Sequence, residues 1–69
     1  MSPFLLRQLW SVVDSTQNSV ILSLDDQGLV SWLMDQLTRQ SPLDSRELSQ
    51  VSHYIQMKLP LIRDMAQGR

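Results

Sequence analysis

The sequence contains no cysteine, only two glycines, and a single histidine, tyrosine and phenylalanine. The missing thiols exclude disulfides and thiolate-bound zinc, the devices that most often support a domain with too small a core. The scarcity of glycine excludes a glycine-rich phosphate-binding loop. One histidine without cysteine, and no His/Asp/Glu set at ligand spacing, leaves no cofactor or metal site and no nucleophile with its base. No run of eighteen apolar residues is present, so no segment is expected to cross a bilayer. The apolar start, Phe4-Leu5-Leu6, is cut by Arg7 and Gln8 before it reaches the length of a secretory signal. Charge of one sign is lacking too: six Lys+Arg against seven Asp+Glu give a net charge of -1, with the signs interspersed. Such a balance predicts no general attraction to nucleic acid or to an anionic membrane. These absences point to a non-enzymatic protein in a reducing cytoplasm.

What is present is helical periodicity. In 69 residues there is room for one domain, which at this size buries only ~60% of the surface its unfolded chain exposes. The pattern predicts an all-α fold, a small bundle of three helices over about 3–17, 24–40 and 45–67. Ser2 is placed to cap the first, and Pro3 suits the first helical turn, where its missing N–H is not needed. Leu5, Leu6, Leu9, Val12 and Val13 share one sector of the wheel, with Phe4 and Trp10 on opposite flanks. Val20-Ile21-Leu22 ends the first helix, crosses over or is briefly extended; three residues are too few for periodicity to decide.

Ser23 followed by Asp26 reads as the N-cap of the second helix, and both Asp25 and Asp26 lie where a helix dipole favours them. Capping accounts for the pair without a catalytic role. Leu29, Val30, Leu33, Met34 and Leu37 form the apolar face. Gly28 indicates either a close helix approach or tolerance near an end. Pro42 stops this helix, and Asp44 with Glu47 repeats the capping signature for the third. There Leu48, Val51, Ile55, Leu59, Ile62 and Ala66 share one face. Pro60 removes the donor for the Gln56 carbonyl, so the third helix is either kinked or split at that point. The expected core comprises Leu9, Val13, Leu33, Leu37, Leu48, Ile55 and Ile62.

The candidate binding residues lie off these stripes. Trp32 falls about 100° from the centre of its helix's apolar face, as a lid on the core edge or as an exposed anchor for a partner. Tyr54, Met57, Leu61 and Met65 give the third helix a second apolar face. A helix with two such faces calls for two neighbours, which points to a docked protein or a homodimer. The function expected is therefore a protein–protein interaction module, a small accessory or regulatory subunit. The alternative is a helix-turn-helix-like DNA-binding regulator in which Arg46, Gln50 and His53 reach base edges or phosphates. Against it stand the net charge and a linker around Pro42 longer than the usual turn. Peripheral membrane contact through Phe4, Leu5, Leu6, Leu9 and Trp10 is not expected, because Arg7 alone supplies positive charge beside them.

The run Leu43-Asp-Ser-Arg-Glu-Leu-Ser-Gln-Val-Ser-His-Tyr-Ile-Gln-Met-Lys-Leu-Pro-Leu-Ile-Arg-Asp-Met-Ala66 resembles the C-terminal half of short uncharacterised helical proteins from cyanobacteria. The segment Leu9-Trp10-Ser11-Val12-Val13 is similar to the start of the same group. The resemblance covers about half the chain and carries no chemical motif. It implies a small cytoplasmic or thylakoid-associated bacterial protein, accessory or regulatory, and it transfers no functional residue.

Overall fold

A computed structural model describes residues 1–68 and contains four helices: α1 (Pro3–Ser15), α2 (Asn18–Ser23), α3 (Asp26–Gln40) and α4 (Ser45–Gln67). The all-α expectation holds, and the expected three helices become four. Arg69, read from the sequence as part of a frayed end, lies outside the described residues.

The caps explain the boundaries. Ser2 accepts from the Leu5 N–H at 3.1 Å and Pro3 opens α1, as the sequence predicts. The helix ends at Ser15 rather than near Gln17, because Thr16 turns extended and its hydroxyl donates to the Val12 carbonyl at 2.8 Å. The undecided stretch after it is helical. A helix of six residues does not hold by its own propensity. What holds α2 is tertiary: Ile21 is fully buried, and Arg63 of α4 donates to the Ile21 and Leu24 carbonyls at 2.7 and 2.8 Å.

The N-cap of α3 is Asp25, not Ser23. Its carboxylate accepts from the Gly28 N–H at 2.7 Å, while Ser23 still belongs to α2. Gly28 is not a point of close helix approach, since a Cβ there would first meet that capping oxygen of Asp25 at 2.7 Å. Ser41 closes α3 in an extended conformation, as a residue before proline must. Asp44 and Glu47 then form the predicted capping box at the start of α4.

Helix α4 is continuous through Pro60, so the split expected as one outcome does not occur. Gln56 and Pro60 are both exposed, so the donor that proline lacks is missing on the solvent side, where water can take its place. Leu59, for which the following proline disfavours helical geometry, is nonetheless helical and buried in the core.

Helix α3 packs between α1 and α4, and α2 packs on α4. One hydrophobic cluster draws on all four helices: Leu5, Leu9, Val12 and Val13; Ile21; Leu29, Leu33 and Leu37; Val51, Ile55, Leu59, Ile62 and Ala66. Each large aliphatic side chain so buried contributes about 1.5–3 kcal/mol before the entropy of ordering is set against it. Of the expected core, Leu48 alone falls short. It is half-buried near the start of α4, and Val51, one turn further in, is the first residue of that stripe to be closed off. No helix among the described residues is long and apolar enough to cross a membrane.

Candidate interaction surface

On α4 the core stripe occupies one sector of the wheel, and the remaining apolar residues lie beside it at spacings of three and four. Met57 and Leu61 are the most open of these, 65% and 46% exposed; Met65 is half-buried. Tyr54 is taken up within the chain. The Trp10 indole donates to its hydroxyl at 3.1 Å, the two rings meet edge to face, and the Lys58 ammonium lies 5.8 Å from the Tyr54 ring centroid. Tyr54 therefore forms the inner edge of the second apolar face rather than a free contact.

Trp32 opens elsewhere. It is 38% exposed and lines a shallow groove of about 290 Å³ with Val12, Thr16, Val20, Gln36 and Gln40. That groove lies among α1, α2 and α3, and no residue of α4 lines it. Of the five residues singled out from the sequence, Tyr54 is engaged within the chain and the other four divide between two surfaces, Trp32 on one and Met57, Leu61 and Met65 on the other. Phe4, on the flank of α1 opposite Trp10, is 62% exposed.

Arg46, Gln50 and His53 are all exposed on the outward side of α4. The connection before them comprises only residues 41–44. This corrects the expectation of an overlong linker: it is within the length of a helix-turn-helix turn. It is also tied down, since the Ser41 hydroxyl donates to the Gln8 side-chain carbonyl, placing the end of α3 beside the first half of α1.

Two further features escape the sequence reading. Arg63, besides its two carbonyl acceptors, meets Asp26 at 2.9 Å, so one guanidinium joins α4 to the end of α2 and the start of α3. Nothing local in the sequence signals a contact across some forty positions. A second groove, about 530 Å³, runs between α3 and α4 and is lined by Gln27, Val30, Ser31, Ser52, Gln56 and others. Its lining mixes polar and apolar side chains, Asp26 and Leu59 among them. No group of three or more His, Cys, Asp or Glu able to hold a metal ion occurs among the described residues. No buried side-chain nitrogen or oxygen among them lacks a hydrogen-bond partner.

No known protein family, curated protein or solved structure matches the chain.

Proposed function

We propose that the chain is a non-enzymatic protein–protein interaction module, a small accessory or regulatory subunit of the cytoplasm that docks on another protein or on itself. The observation that carries this reading is the exposure of Met57 and Leu61, beside a core that Val51, Ile55, Leu59 and Ile62 already close. Neither side chain contributes to the chain's own packing as the core residues do. Large apolar groups held open on a rigid helix are what an interface core requires. Methionine adapts its shape to a partner at little cost. Trp32 supplies a separate anchor of the residue type that dominates interface energetics.

The test compares association with stability in Trp32→Ala. Association is read by affinity capture of the tagged chain from its native lysate at moderate salt and by sedimentation of the purified chain; stability is read by thermal unfolding. An anchor loses association far more than stability. The opposite pattern makes Trp32 a lid on its own core and removes it from the interface.

A second reading, a DNA-binding regulator, is favoured by the common exposure of Arg46, Gln50 and His53 and by the short connection before α4. It predicts an affinity for duplex DNA that falls steeply with salt. Absence of binding at low salt removes it.

A further inference from the structure

Arg46 and Asp64 stand near the two ends of α4. They are eighteen residues apart, which at 3.6 residues per turn is a whole number of turns, so they share one direction at a separation of about 27 Å. Both are exposed, as are Gln50, His53 and Met57 between them on the same outward side. Each charge is at the end of the helix that disfavours it. Arg46 is in the first turn, where unpaired N–H groups carry positive charge, and Asp64 is in the last turn, where unpaired carbonyls carry negative charge and no basic residue is present. Neither forms an ion pair with another described residue.

We propose that this face of α4 pairs antiparallel with the same face of a second copy of the chain, Arg46 of each opposite the partner's Asp64. The proposal rests on the interaction reading above and names the partner within it. The charges favour this occupant over others. A uniformly acidic partner is repelled at Asp64 and a uniformly basic one at Arg46, whereas the face is complementary to itself when reversed. Parallel pairing sets like charges together at both ends, so direction is fixed by repulsion as well as attraction. The register places the two-fold axis level with position 55, bringing His53 beside the partner's Met57. A two-fold axis makes both contacts equivalent and closes the assembly at a dimer. One face of one helix buries less than the ~1,200 Å² of a standard interface, so the dimer is transient and weakens as salt screens its rim pairs.

The test is sedimentation of the full chain from low-micromolar to millimolar concentration, at low and high salt, for the parent, Arg46→Asp, Asp64→Arg and an equal mixture of the two variants. Each substitution brings its helix end into the sign the dipole favours, so helix content and thermal midpoint hold or rise and loss of fold does not confuse the result. The expected outcome is a salt-weakened dimer of the parent, about tenfold or more weaker in each variant alone, and association restored in the mixture, where every pair is again of opposite sign. A parent that stays monomeric, variants that dimerise like the parent, or a mixture that fails to associate each overturns the pairing. Such failures are distinct from failure of the interaction reading, which is decided by capture of lysate proteins on the parent chain and its loss in Met57→Ser/Leu61→Ser.

Discussion

The Trp10 indole N–H donates to the Tyr54 hydroxyl at 3.1 Å, and the two rings cross at 85° with centroids 6.3 Å apart. The pair fastens the first helix to the last across forty-four positions of sequence. It also defines the inner limit of the apolar surface on α4. Tyr54→Phe keeps the ring and removes the acceptor, leaving the indole N–H without its partner. The expected loss is about 1 kcal/mol, seen as a fall of about 4–8 °C in the thermal midpoint for a domain of this size.

Arg63 is the joint between α4 and the α2–α3 connection, three-quarters buried on a largely exposed Asp26. Its two carbonyl acceptors matter more than the ion pair, because an exposed carboxylate contributes little. Arg63→Met is expected to destabilise by roughly 1–3 kcal/mol through the carbonyls left unpaired, whereas Asp26→Asn changes stability by less than about 1 kcal/mol. Amide hydrogen exchange across residues 18–24 checks the origin of the effect: protection there is lost before protection in α3.

Pro60→Ala returns a donor to the Gln56 carbonyl on the exposed side of a helix that is already continuous. The proline is thus a local defect that the core stripe overrides. The substitution is expected to raise stability by about 1–3 kcal/mol, measured by denaturant unfolding, with self-association retained.

Asp44 caps the N-terminus of α4 through the Glu47 N–H at 2.8 Å. Asp44→Ala removes that acceptor and is expected to lower stability by about 1 kcal/mol. Glu47→Ala, which removes only the returning half of the box at 3.2 Å, has the smaller effect. Chemical denaturation of both variants side by side gives the order.

The core was the most legible part of the sequence because it depends on spacing alone. Leu5, Leu9, Val12 and Val13, then Leu29, Leu33 and Leu37, then Val51 to Ala66 each repeat with helical period, and each is buried. Two of the three N-caps with side-chain bonds, Ser2 and Asp44, were legible for the same reason, being local chemistry at a fixed offset. Asp25 was displaced by Ser23 because both carry an acceptor near the right place, and only the course of α2 decides between them. Helix α2 itself depends on Ile21 entering a core made by distant segments and on Arg63 closing its carbonyls, which no local pattern encodes. The off-stripe positions of Trp32, Met57 and Leu61 were legible. That Tyr54 is engaged by Trp10 and Lys58, and that Trp32 opens on a different groove from α4, follows from how the helices are packed side by side.

The most direct measurement is made on Met57→Ser/Leu61→Ser in the full chain, with association and thermal unfolding recorded together. Association is followed both as self-association in the centrifuge and as capture of lysate proteins on the tagged chain. Both side chains are exposed, so the thermal midpoint is expected to stay near that of the parent, within the ±0.5 kcal/mol or so typical of surface changes, while association falls about tenfold or more. Association unchanged by the double substitution, or a loss of stability in step with it, would contradict the assignment of this face of α4 as the contact surface.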